Sequence, residues 1–290
     1  MINALTIDVE DYFQVNAFAR TVRLEQWDSF PLRVDGNTRR ILDLLDSFAV
    51  SATFFVLGWV AERLPGLVKE IQRRGHEVAC HGYNHELIYL IGPERFRADI
   101  RRSKALLEDQ CGVRVNGYRA PSYSITKESL WALDILVEEG FSYDSSIFPI
   151  MHDVYGIPEA DRFPHFLETA AGPLVEFPLS TWMVGCSWKK IRLPIAGGGY
   201  LRLLPVQLFS LGMRSINERE RQPAVLYFHP WEIDPGQPRI KAGARSTFRH
   251  YQNLARTEGK LKVLLQDFNF CPMKECLDPM LAQLTSRGKS

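Results

Sequence analysis

Two histidines four residues apart, His81 and His85 in "VACHGYNHE", have the type and spacing for metal chemistry. Imidazoles at i and i+4 face the same way when the residues between them form one turn. Two imidazoles and one carboxylate would leave positions open for water and substrate, as a catalytic divalent metal requires. The acids available for the third place stand in "TIDVED", at Asp8, Glu10 and Asp11. The pair is not the zinc helix of the HExxH type, because Gly82 occupies the place of the glutamate. Cys80, beside His81, points the opposite way on an extended chain and is expected in the core.

The elements that must position these residues alternate. "ALTIDV", "SATFFVL", "HEVAC", "VNGYR", "FSYDSS" and "PAVLYFHPW" read as strands. Between them, Ile41, Leu42, Leu44, Leu45 and Phe48 follow helical spacing. Residues 59–74 (interrupted at Pro65), 94–110 and 127–139 read as further helices. Gly75, Gly112 and Gly140 each close a helix just before a strand. Such alternation with short links predicts an α/β fold with a parallel sheet or barrel. Residues 150–190 are rich in Pro, Gly and aromatics and predict irregular loops with short strands such as "LVEFPLS". "AGGGYLRLLP" leads into a helix near 205–220, and "FRHYQNLARTEGKLKVLLQDF" holds a helix followed by a final strand. Asp8 and Glu10, His81, Arg119, Asp144 and His229 each fall at the C-terminal end of a predicted strand. In α/β barrels that end carries the active site.

Composition excludes several other classes. Lys and Arg number 35 against 34 Asp and Glu, a net charge of +1, so no nucleic-acid-binding surface is expected. No apolar run reaches the roughly 20 residues of a membrane span. The opening "MINALTIDVED" has no basic start, so no signal peptide is expected. Five irregularly spaced cysteines predict free thiols, including Cys271 and Cys276 around "PMKE", and a reducing, cytoplasmic setting.

The motifs resemble those of the NodB-homology polysaccharide deacetylases, carbohydrate esterase family four. "TIDVED" (6–11), "HGYNH" (81–85), "RAPSY" (119–123), "YDSS" (143–146) and "YFHP" (227–230) resemble its five motifs, in family order. The opening "ALTIDVEDYF" and "AGGGYLRLLP" resemble the subgroup encoded with exosortase-linked exopolysaccharide clusters, in which a small domain of unknown function follows the core. The resemblance implies a distorted (β/α) barrel with a C-terminal extension: a deacetylase core over 1–180 carrying motifs one to four, and a part over 181–290 with the fifth-motif strand, the two forming one unit. It implies a divalent metal, zinc by preference, and an N-acetylated sugar polymer or oligomer, or a lipid-linked precursor. Association with membrane-bound exopolysaccharide machinery is a further expectation.

Three positions depart from the family pattern. Two adjacent aspartates are usual in the first motif, and here Asp8, Glu10 and Asp11 compete. Gly82 stands where Ser or Thr is usual, and Tyr227 where Leu is usual. Asp8 and Glu10 share a side of an extended chain, which favours Glu10 over Asp11 as the ligand beside His81 and His85. The resemblance gives Asp8 as general base, Arg119 as its charge partner and the Tyr123 backbone N–H as oxyanion donor. It gives His229 as general acid and Asp144 as the group that orients His229. Trp182, Trp188 and Trp231 are candidates for stacking on sugar or for the core. Two other classes are weighed: a metal-independent C–N hydrolase of the allantoinase-like kind, and an inactive carbohydrate-binding scaffold. The His81/His85 pair argues against the first, and the presence of Asp8 and His229 against the second.

Overall fold

β1 (Ile2–Val9) is buried throughout except at Ile2, as a central parallel strand covered on both sides must be, with Asn3, Thr6 and Asp8 among its buried residues. In the computed structural model, which describes residues 1–186 and 189–287, it anchors a nine-stranded sheet. The chain continues through β2 (Thr53–Val56), β3 (Glu77–Cys80), β4 (Gly117–Tyr118) and β5 (Tyr143–Asp144). A hairpin follows, β6 (His165–Thr169) and β7 (Gly172–Glu176). β8 (Thr181–Cys186) and β9 (Lys189–Pro194) form a separate two-stranded sheet, and β10 (Val225–Phe228) and β11 (Asn269–Cys271) return to the first. The order is β10-β1-β2-β3-β4-β5-β7-β6, parallel except for the β6–β7 hairpin. β1 lends one edge to two strands, with Ile2–Ala4 pairing β11 and Ala4–Ile7 pairing β10. Among the described residues no ladder joins the two ends of this sheet. The gap is crossed by single backbone bonds, Leu179 N–H to Ile147 O, Ile195 N–H to Ser180 O and Tyr227 N–H to Ala196 O.

Ten α-helices are described: α1 (Val34–Ser47), α2 (Gly58–Arg63), α3 (Pro65–Arg73), α4 (Ile88–Cys111), α5 (Trp131–Glu138), α6 (Gly198–Leu203), α7 (Val206–Arg214), α8 (Ala244–Tyr251), α9 (Leu254–Asp267) and α10 (Met273–Arg287). Pro65 opens α3 and so ends α2, as its missing N–H requires. Gly75, Gly112 and Gly140 all adopt positive φ, the conformation that closes a helix. One expectation near the C-terminus fails. The stretch "FRHYQNLARTEGKLKVLLQDF", expected to end in a strand, holds α8 and α9, because Leu254, Leu261, Leu264 and Leu265 fall on one buried helical face. The last strand is the short β11, and α10 follows it. The N-terminal N–H groups of α10 are held by Thr53 Oγ1 (2.7 Å) and Glu77 Oε2 (3.1 Å) from the starts of β2 and β3. No helix among the described residues is long and apolar enough to cross a membrane.

Candidate active site

Glu10, His81 and His85 present ligand atoms that all lie within 4.8 Å of one another. Glu10 follows β1, and His81 follows β3. His85 is brought back over them by a loop with left-handed backbone at Gly82 (φ 72°) and at His85 itself (φ 53°). The loop is pinned from α4, where the Asp99 carboxylate accepts the N–H groups of Tyr83 (2.8 Å) and Asn84 (3.3 Å). A Cβ on residue 82 would come within 3.0 Å of that carboxylate, which accounts for the glycine in this motif.

The donor set fits a divalent metal. His81 Nδ1–H donates to the Arg119 carbonyl (2.8 Å), which leaves the Nε2 lone pair free. Burial pulls His81 down to about 4, so it is neutral at physiological pH, as a ligand must be. Burial works to raise Glu10, but His85, His229 and His81 overcome it and hold the carboxyl at about 2. Glu10 Oε2 lies 2.7 Å from His85 Nε2, yet it is buried with no hydrogen bond among the described residues. A carboxylate oxygen and an imidazole nitrogen turned toward one point, with no donor between them, are what a cation would satisfy.

Asp8 stands beside this group, fully ordered by its neighbours. Its Oδ1 accepts from Arg119 Nη1 (2.8 Å), and the two side chains are 1% and 0% exposed. Arg119 is itself held by Thr6 Oγ1 (2.7 Å), Ser145 Oγ (2.9 Å) and the Ser145 carbonyl (3.1 Å). Asp8 Oδ2 is the freer oxygen, 3.4 Å from the Tyr123 hydroxyl and 3.9 Å from His229 Nε2.

His229, at the end of β10, stands beside Asp8 and Glu10, its Nε2 3.5 Å from Glu10 Oε1. Its Nδ1 lies 3.5 Å from Glu232 Oε1, and Glu232 in turn pairs with Arg202 Nε (3.2 Å). Burial works to lower His229, but Glu10, Glu232 and Asp8 outweigh it and push it up to about 9. Trp231 stacks on the His229 ring at 5.1 Å and donates Nε1–H to Glu10 Oε1 (3.1 Å). Its far face is backed by His250 at 4.2 Å.

Three sequence-predicted groups make other contacts than expected. Asp11 turns away and accepts the N–H groups of Arg33 (2.7 Å) and Val34 (2.9 Å) at the start of α1, and that of Tyr12 (2.9 Å). It is a helix-capping carboxylate. Asp144 does not reach His229. Its carboxylate bonds Ser146 Oγ (2.5 Å) and couples to Glu176 on β7, and burial raises both acids. The partner of His229 is Glu232, three residues on in the same turn. The Tyr123 N–H is not free for an oxyanion, because the tight turn at 121–123 bonds it to the Ala120 carbonyl (3.0 Å). What Tyr123 brings to the site is its hydroxyl. Glu232 and Arg202 are site residues that the sequence reading misses, and Trp231 is there only a candidate for stacking on sugar or for the core. The signal available was Glu232 at i+3 from a strand-end histidine, on a turn opened by Pro230. Trp231 is 5% exposed and forms a wall of the site. Trp182 packs against the core, and Trp188 lies outside the described residues.

Residues 24–136 match the polysaccharide deacetylase family, and residues 145–278 match a domain of unknown function (DUF3473). The site draws on both stretches and on β1 ahead of them. The chain is 30% identical over 120 residues to a peptidoglycan-N-acetylglucosamine deacetylase of Bacillus cereus, covering 37% of this chain and 44% of that protein. It is 28% identical over 168 residues to a peptidoglycan deacetylase of Helicobacter pylori, covering 57% and 47%. It therefore spans less than half the length of these curated relatives. A crystal structure from Mycobacterium smegmatis assigned to the polysaccharide deacetylases has the same fold, with a TM-score of 0.61 at 22% identity, covering 99% of this chain and 91% of that one.

Proposed function

We propose that the chain is a metal-dependent hydrolase that removes N-acetyl groups from an N-acetylated glycan. The observation that supports this reading is an acid and an imidazole that can carry protons, standing together beside one possible metal-ligand set. Asp8 Oδ2 and His229 Nε2 lie 3.9 Å apart, beside Glu10, His81 and His85. A divalent cation bound there, zinc by the chemistry of two imidazoles and a carboxylate, supplies Lewis acidity to the scissile carbonyl and to the attacking water.

The chain's own residues do the rest. Asp8 receives the proton of the water at Oδ2, while Arg119 fixes the carboxylate through Oδ1. His229 delivers a proton from Nε2 to the departing sugar amine. Glu232 faces Nδ1, so the ring keeps its orientation and its positive charge is balanced, and Arg202 holds Glu232. Tyr123 and Trp231 close the sides and exclude water. The resemblance of "AGGGYLRLLP" and the match to DUF3473 support a role in exopolysaccharide biosynthesis, on a polymer or its lipid-linked precursor, beside membrane-bound machinery.

The test is acetate release from N-acetylglucosamine oligomers by protein stripped with a chelator, with zinc, cobalt, manganese and magnesium restored singly. Activity that returns with one of these ions and bound metal near one per chain is expected. Full activity in the stripped protein would overturn the reading.

A further inference from the structure

The turn from β11 into α10 carries two cysteines that the candidate active site does not use. Cys271 ends β11, Cys276 lies in the first turn of α10, and their Sγ atoms are 3.0 Å apart. The helix they flank fills the end of the sheet where β2 and β3 begin. Its Met273 and Leu277 are fully buried, in one apolar cluster with Phe55, Ala79 and Val175 of β2, β3 and β7. Phe55 in turn carries the Arg119 guanidinium, 4.1 Å from the centre of its ring. The two thiols are not equivalent. Cys276 donates to the Cys271 sulfur, which favours a thiolate at Cys271 and disfavours one at Cys276. Burial, Glu275 and Asp278 work against that thiolate, and the hydrogen bond outweighs them. Cys276 is only partly buried, which opens this corner to a small reagent. Cys80 and Cys111 have no second thiol beside them among the described residues, and burial pushes both up, Cys80 to about 12.

We propose that Cys271 and Cys276 are a redox pair, oxidised by hydroperoxides to a disulfide that staples the start of α10 to β11. The Cys271 thiolate attacks one peroxide oxygen. An S–O bond forms, the O–O bond breaks, and the departing hydroxide takes up the proton that Cys271 released. The Cys276 sulfur then attacks the sulfenic sulfur of Cys271. The S–S bond forms, the S–O bond breaks, and the hydroxyl leaves with the Cys276 proton as water. Two thiols lose two electrons, and one peroxide becomes two waters. A dithiol reverses the change by thiol–disulfide exchange. The staple holds the first turn of α10, whose Met273 and Lys274 N–H groups bond Thr53 and Glu77, and so fixes the helix that underlies Phe55.

The experiment treats the reduced protein with hydrogen peroxide, alkylates the remaining thiols and digests with trypsin, which cuts after Lys274 and so parts the two cysteines. In protein that runs as a monomer, peptides 263–274 and 275–287 should stay joined after oxidation and separate with dithiothreitol, while Cys80 and Cys111 are recovered alkylated. Dimedone, which traps sulfenic acids, should label Cys271 in Cys276→Ser and leave Cys276 unlabelled in Cys271→Ser. Closing the loop should raise Tm by about 5 °C in the wild type and in neither variant. Peptides that separate without reductant, a join found only between two chains, or oxidation of Cys80 and Cys111 at the same rate overturns the pair. Dimedone on Cys276 in Cys271→Ser overturns Cys271 as the attacking sulfur, and a joined pair with unchanged Tm overturns the staple.

Discussion

Arg119→Met tests the part of the site that is most deeply buried. The methionine keeps much of the length of the side chain and removes its charge. Four hydrogen bonds go with it, to Asp8, Thr6, the Ser145 hydroxyl and the Ser145 carbonyl. Asp8, at 1% exposure, is left as a buried acid without its cation. Removing one partner of such a pair costs about 3–5 kcal/mol. That is a large part of the 5–15 kcal/mol by which domains are ordinarily stable, and it corresponds to a fall in Tm of about 10 °C. Turnover should fall at least about 100-fold, since the base is no longer fixed against the substrate. Metal content should stay unchanged, because Arg119 offers only its carbonyl to His81, and that atom survives the substitution. The decisive measurement is a double-mutant cycle with Asp8→Asn by thermal and denaturant unfolding. If the cost is an uncompensated carboxylate, the second substitution recovers about 2–3 kcal/mol. Additive losses would refute the ion pair as the reason for the burial of Arg119.

Asp11→Ala should lower stability by about 2–4 kcal/mol through three unpaired N–H groups, yet retain metal, whereas Glu10→Ala should release it; metal analysis beside denaturant unfolding separates the two. Glu232→Gln should slow hydrolysis of unactivated amides about 10- to 100-fold and spare esters with good leaving groups, which need no protonation; equal losses on both substrates would count against His229 as the acid. His76, away from the site, is pulled down to about 4 by burial. Its folded value lies below its unfolded one, so its contribution is complete above about pH 6.5 and is lost as pH falls toward 4, by about 3 kcal/mol at most. His76→Gln should therefore flatten the dependence of Tm on pH in that window.

The strands are legible in the sequence because they are short, mostly apolar runs, as in β2 (Thr53–Val56), and because glycines mark the helix ends. The strand expected to end "FRHYQNLARTEGKLKVLLQDF" is instead the last turns of α9, where Leu254, Leu261, Leu264 and Leu265 share a buried helical face. Position at a strand end picked out residues that the fold brings together but did not assign their contacts. Asp144 sits at such an end, yet its carboxylate turns to Ser146 and Glu176. Glu232, on a turn after the strand, faces His229 instead. Glu10 and Asp11 are adjacent, and which of them faces the imidazoles depends on where the chain leaves its extended course. The Asp11 N–H is tied to the Gln14 side chain at that bend.

The shared edge of β1 has a consequence for biosynthesis. Ala4 to Ile7 pair with Val225 to Phe228, strands that leave the ribosome roughly 220 residues apart. At about 5–20 residues per second, the apolar N-terminal strand waits some 10–45 s for its neighbour. During that interval its open row of N–H and C=O groups is a template for other chains. The arrival of β10 covers Ala4 to Ile7 and, in the same step, brings His229 beside Asp8, while Ile2 to Ala4 wait for β11. A chain cut short before β10 would keep that edge open and lack the second half of the candidate site.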